Sequence, residues 1–335
     1  MANTINWGKI YESTYWGNTD NNISWGKAYA DLAGVVPALV SEFVSRVEAD
    51  GGSVESTECM STDLTFLVNN PEPVDFTGLL NDYSGAAAAY SLRLLDNTYS
   101  GNAVKVRRSS DNAEQDIAFV NNELDTASLE TFAGSGNAFV TTWYDQSGNG
   151  NDATQTTASK QPKIVSSGST ILENGKAAVE FDGSDDYLEN STIFNEPIIS
   201  MFSVHSNTST SSPRRPFGLR GDTGISRSTF AQDSDNTLRY DGAFTSGTLT
   251  AAISQKVRYS QRETSRAYDY INGVENINNV EALPNIIAQP SIGAVIASLS
   301  SLYVGKFQEG VIWINDELSN RTGIETNIND FYSIY

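Results

Sequence analysis

Residues 143–155 read Trp143-Tyr144-Asp145-Gln146-Ser147-Gly148-Asn149-Gly150-Asn151-Asp152-Ala153-Thr154-Gln155. Asp, Asn, Ser and Gly are the residues of tight turns: short polar side chains bond nearby amides, and glycine takes positive φ. The run before the turn, Ala138-Phe139-Val140-Thr141-Thr142-Trp143, is β-branched and aromatic and reads as a strand. Outward from here the same alternation of strand and turn recurs. Ala177-Ala178-Val179-Glu180-Phe181 and Gly310-Val311-Ile312-Trp313-Ile314 are further strands. Asn174-Gly175, Asp182-Gly183, Asp241-Gly242 and Asn272-Gly273 are hairpin dipeptides. Helices are few, one over 124–132 with Asp125 as its cap and one over 319–332. Many short strands with frequent turns predict an antiparallel sandwich over residues 73–335.

The first 72 residues differ in character. Ile5-Asn6-Trp7-Gly8-Lys9-Ile10-Tyr11 is echoed by Ile23-Ser24-Trp25-Gly26-Lys27-Ala28-Tyr29, with Tyr15-Trp16-Gly17 between them. Trp7, Trp16 and Trp25 lie in a segment too rich in Gly and Asn to bury them by itself, and large rigid rings of this kind anchor interfaces. Leu39, Val40, Phe43, Val44 and Val47 form one face of a helix that ends at Asp50-Gly51-Gly52. A second short helix starts at Ser53. Asn69-Asn70-Pro71-Glu72-Pro73 reads as a linker. The expectation is a small extended and helical attachment segment over 1–72, docking through Trp7, Trp16, Trp25 and Phe43.

Composition removes several classes of function. With 41 acidic against 21 basic residues, the formal charge of −20 opposes sequence-independent nucleic-acid binding. One cysteine, Cys59, excludes an intrachain disulfide and thiolate-rich metal sites, and one histidine, His205, excludes multi-histidine sites. No apolar run is long enough to span a bilayer, and the opening residues lack the basic and apolar regions of a secretory signal. Hydrophobic residues at 39% suffice for a packed core.

Four segments carry a resemblance. They are Ala89-Tyr90-Ser91-Leu92-Arg93-Leu94-Leu95 with the strand that follows, the 143–155 stretch, Phe181-Asp182-Gly183-Ser184-Asp185-Asp186-Tyr187-Leu188, and Phe307-Gln308-Glu309-Gly310-Val311. Together, over residues 82–335, they resemble the concanavalin-A-like jelly roll of the α-L-arabinofuranosidase B family, and the third also resembles a strand of laminin-G-like modules. The resemblance implies the fold. It implies no catalytic residues, because the family's proton donor would fall near Ser298 and its nucleophile near Arg227, neither of them a carboxylate. Under the alternative reading, a glycoside hydrolase, Glu309 and Asp316 are the carboxylates to test. Residues 1–70 resemble leader segments of tailed-phage structural proteins. The combined expectation is a non-enzymatic virion component, a homo-oligomer displaying a lectin-like domain on the particle surface, with other virion proteins and surface glycans as partners.

Within the sandwich, Trp143, Asp145, Asn149 and Tyr187 are the candidates for glycan contact, as a stacking ring beside polar groups. The competing reading of the 145–151 loop, a turn bonded to itself, accounts better for its residue types. Asp182, Asp185 and Asp186 are a calcium candidate, since calcium takes clustered oxygen ligands, but their spacing fits no EF-hand loop. No other cofactor is expected.

Overall fold

The computed structural model describes residues 76–208, 215–220, 230–232, 237–240, 243–246, 253–280, 286–294 and 302–335. The chain divides into two units, Met1–Phe76 and Thr77–Tyr335, and all the described residues but Phe76 belong to the second. The aromatic anchors Trp7, Trp16, Trp25 and Phe43, both helices expected before residue 72, and Asp241-Gly242 lie outside the described residues.

The second unit is an antiparallel β sandwich of jelly-roll type, and among the described residues its strands pair antiparallel. Its spine is the strand Val304–Trp313. The first half of that strand pairs with Val179–Asp182 and the second half with Ala88–Ser91. Its other edge pairs along most of its length with Ile199–Asn207. From there the sheet runs through Lys256–Arg262 and Arg266–Ile271 to Val274–Val280. On the other side, Val179–Asp182 leads through Lys163–Ser166 and Ala138–Trp143 to Val104–Arg108 and Glu114–Ile117.

All nine residues of the strand Ile199–Asn207 are buried, as for a strand covered on both faces. Met201 joins an inner core with Val106, Val140, Trp143, Phe181 and Phe307. Phe202 and Val204 join an outer core with Tyr259 and Trp313, covered by Ile324, Ile328 and Tyr332 of the C-terminal helix Arg321–Tyr332. The helix Thr126–Ala133 starts two residues later than expected, Leu124 pairing instead with Phe119, and its cap is the expected one, the Asp125 carboxylate accepting from the Ser128 amide at 2.9 Å. Asn174-Gly175 and Asn272-Gly273 each close a two-residue hairpin with both residues at positive φ. Asp182-Gly183 does not, for the chain turns away after Gly183 and resumes as a strand only at Leu188–Glu189. No helix among the described residues is long and apolar enough to cross a membrane.

Candidate functional site

The strand Val179–Asp182 buries Val179 and Phe181 and leaves the sheet with Asp182 exposed. Gly183, at φ 76°, starts a turn that brings three carboxyl groups together. Asp182 Oδ1 accepts from the amides of Ser184 at 2.7 Å and Asp185 at 3.4 Å. Asp186 Oδ2 accepts from the Asp182 amide at 3.0 Å. One oxygen from each of Asp182, Asp185 and Asp186 lies within 4.8 Å of the others.

Their surroundings are unequal. Asp182 is exposed, Asp185 half-buried and Asp186 buried. Burial pushes the Asp186 carboxyl up to about 7, and the charges of Asp182 and Asp185 add to the shift, while the Asp182 amide and Lys163 oppose it. The turn is held from beneath. Phe181 packs 5.6 Å from Tyr303, and Gly293 presses so closely on it that a Cβ there would stand 2.4 Å from the Phe181 ring and 3.1 Å from the Asp186 carbonyl oxygen.

The next residue, Tyr187, is half-buried, with the Lys160 ammonium 5.9 Å from its ring centre. Its carbonyl accepts from Gln155 Nε2 at 3.3 Å, and its amide donates to the Lys160 carbonyl at 3.3 Å. Lys163 stands 3.9 Å from Glu180 on the neighbouring strand. The geometry therefore joins two sets of residues that the sequence offers separately, the acidic trio and Tyr187. Lys160 and Lys163 have no motif that could have flagged them. They reach the site because the chain carrying them runs beside it.

The other glycan candidates are corrected. Trp143 is fully buried, its ring edge-on to Phe307 at 5.9 Å, so it has no free face for a sugar. Asp145 is buried and accepts from the amides of Ala89, Ser147 and Asn151 at 2.8 to 2.9 Å, and from the Ser147 hydroxyl at 2.7 Å. Asn149 is exposed, yet its Nδ2 donates to the Ala86 carbonyl at 2.9 Å. The loop clamps the start of the strand Ala88–Ser91, which engages the Asp145 carboxylate and the Asn149 Nδ2.

Glu309 and Asp316 are likewise held in structural bonds. Glu309 accepts from Arg93 at 2.7 and 3.0 Å, from the Ser91 hydroxyl at 2.8 Å and from the Tyr332 hydroxyl at 3.3 Å. Asp316 Oδ1 accepts from Gln261 Nε2 and the Leu318 amide, both at 2.9 Å. His205 lies buried within a strand, 3.0 Å from the Ser203 hydroxyl, and burial lowers its pKa. Arg227 and Ser298, near which the resemblance would place the family's two carboxylates, lie outside the described residues.

Comparison with known proteins adds a likeness over part of the chain. A family model for the catalytic domain of α-L-arabinofuranosidase B matches residues 82–201, a span that contains the acidic turn. A structure of a GH54 α-L-arabinofuranosidase soaked with a cyclic sulfate inhibitor shares 17% identity at a TM-score of 0.56, covering 72% of this chain and 62% of its own. An arabinofuranosidase complexed with arabinofuranosyl-α-1,2-xylobiose gives the same identity, coverage and score. A mutant GH54 enzyme soaked with 4-nitrophenyl α-L-arabinofuranoside scores 0.55 at 17% identity. The chain thus spans 62% of the length of these structures, which at this identity establish the fold. Comparison with curated proteins finds no match. The matching model is that of a catalytic domain, which overturns the expectation of a non-enzymatic virion component. The findings favour the alternative, a glycoside hydrolase.

Proposed function

We propose that this chain is a glycoside hydrolase acting on α-L-arabinofuranosyl linkages, with Asp186 as proton donor and Asp182 as its partner carboxylate. The match of a catalytic-domain model to residues 82–201 carries the class. The roles of the two residues rest on the acidic turn. A retaining hydrolase needs two carboxyl groups about 5 Å apart, one holding a proton and one charged. Asp182 and Asp186 approach within 4.8 Å, and their environments pull them apart: water faces Asp182, while burial holds a proton on Asp186 up to about pH 7. Tyr187 beside them offers a ring edge to a sugar, and Lys160 offers a donor to its hydroxyls.

The test is release of nitrophenol from 4-nitrophenyl α-L-arabinofuranoside. Asp186→Asn and Asp182→Asn are each expected to lower kcat by at least about a hundredfold. Wild-type turnover that survives both substitutions would overturn the assignment of roles, and absence of turnover on arabinofuranosides and on arabinoxylan would overturn the class.

A second reading comes from the same oxygen atoms. Three carboxylates within 4.8 Å are a ligand set for a hard cation such as calcium. A cation and the Asp186 proton compete for this turn, so calcium should raise Tm more at pH 8 than at pH 5. No rise at either pH removes this reading and leaves the first intact.

A further inference from the structure

The chain contains three Asn-Gly pairs, Asn149-Gly150, Asn174-Gly175 and Asn272-Gly273. Glycine carries no Cβ, so its nitrogen is the least hindered backbone nitrogen for attack on the side-chain amide that precedes it. The backbone of the asparagine decides whether the attack can take place. Asn174 and Asn272 both stand at φ 50°, in the left-handed region, where ψ is about +47°. Cβ is offset from the asparagine's own nitrogen by about a third of a turn, so at that ψ it lies almost opposite the glycine nitrogen across the Cα–C bond. A ladder pair closes each of these turns, Glu173 with Lys176 and Ile271 with Val274. Rotating either asparagine into reach would break its hairpin. Side-chain bonds tighten the lock. Asn174 Nδ2 donates to the Tyr332 and Ser333 carbonyls at 2.6 and 3.1 Å, and Asn272 Oδ1 accepts from the Val257 amide at 3.0 Å.

Asn149 differs in each respect. It does not stand at positive φ, it is exposed, and it lies outside the strands. Apart from chain neighbours, no heavy atom comes within 4 Å of where a Cβ on Gly148 or Gly150 would stand, so the space around the pair is open. Its side chain is bonded too, Nδ2 donating to the Ala86 carbonyl at 2.9 Å and to the Ser147 hydroxyl at 3.0 Å. Those bonds break without the opening of any strand pair.

We propose that Asn149 is the site of spontaneous deamidation in this domain, reacting with Gly150 while the chain is folded. The Gly150 nitrogen attacks Asn149 Cγ and gives up its proton. The Cγ–Nδ2 bond breaks, ammonia leaves, and a five-membered imide remains. Water then opens either imide carbonyl, giving aspartate or isoaspartate at position 149. One amide and one water become one carboxylic acid and one ammonia, with nothing oxidised or reduced.

The product acts on the strand Ala88–Ser91. Nδ2 of Asn149 donates to the Ala86 carbonyl and, at 3.4 Å, to that of Ala87. A carboxylate only accepts, so both bonds are lost and a negative charge faces two carbonyl oxygens. The strand entry is then held by Asp145 at the Ala89 amide and Asn151 at the Ala87 carbonyl. The change runs one way and records the age of the folded molecule.

The test is peptide mapping by mass spectrometry of the full chain, incubated at about pH 8 either folded or in concentrated urea. In the folded chain the Asn149 peptide should gain one mass unit at least about tenfold faster than the Asn174 and Asn272 peptides. In urea the three rates should converge, because the turns that protect Asn174 and Asn272 are gone. Asn149→Asp should lower the urea midpoint. Asn174 or Asn272 reacting ahead of Asn149 in the folded chain would overturn the proposal. So would a folded-state order that persists in urea, or a folded Asn149 that stays intact while the urea sample converts. An unchanged midpoint in Asn149→Asp would overturn the effect on the strand. The readout is mass, so it stands whether or not the chain hydrolyses any glycoside.

Discussion

The Arg93 guanidinium grips the Glu309 carboxylate through two bonds, 2.7 and 3.0 Å long, across 216 residues of chain. Phe331 and Tyr332 of the C-terminal helix flank the guanidinium at 5.1 and 5.8 Å. Glu309 stands in the Phe-x-Glu-Gly segment, and here that carboxylate is a structural clamp between a strand, the segment that follows Ala88–Ser91, and a helix. Removing one member of a buried pair strands the other charge, so Glu309→Ala should destabilise by about 3–5 kcal/mol in urea titration. Replacing both with apolar residues of like volume, Arg93→Met with Glu309→Leu, should cost much less. A single substitution within about 0.5 kcal/mol of wild type would contradict the clamp.

The Asp186 contribution to stability should fall as pH rises from about 4 to about 7. In the folded chain burial, aided by the charges of Asp182 and Asp185, holds a proton on Asp186 up to about 7, whereas an unfolded Asp releases it near 3.9. Across that window the folded state binds more protons, so the contribution is full below the lower value and lost through the upper one. Glu325 acts with the same sign, since burial raises it to about 7 against the pull of Arg321. Urea titrations at pH 4 and pH 8 should show Asp186→Asn gaining on the wild type at the higher pH. An equal difference at both would refute the linkage.

Catalysis should show the same group. If Asp186 donates the proton, kcat/KM should decline above about pH 7, the alkaline limb reporting its ionisation. Asp186→Asn should flatten that limb as well as lower the rate. A limb unchanged in the variant would assign it to another residue.

Trp143 should behave as core. Trp143→Ala should destabilise by about 3–5 kcal/mol, and Trp143→Phe by clearly less. A Trp143→Ala variant within about 0.5 kcal/mol of wild type would contradict this placement.

Local chemistry was legible in the sequence wherever a short stretch decides the outcome. Asp125 caps its helix through the Ser128 amide, and Asn174-Gly175 and Asn272-Gly273 turn because both residues tolerate positive φ. Trp143 shows why burial was harder to read. Strict alternation from Ala138 and Val140 would turn Trp143 outward, but a register shift against Lys105/Val106 places one extra residue near Thr141 and turns the ring inward. The acidic trio could be read as clustered but not as unequal. Which carboxyl is desolvated depends on Phe181, Tyr303 and Gly293, and the last two are remote in sequence. The Arg93–Glu309 clamp likewise needs the sheet before its members become neighbours.

The strand Val304–Trp313 binds three others, Ala88–Ser91, Val179–Asp182 and Ile199–Asn207. All three are translated before it. A nascent chain therefore leaves the ribosome with those edges unsatisfied, and the sandwich cannot close until its late-made keystone emerges. Such dependence on distant pairing slows folding and lengthens the period when apolar edges are exposed.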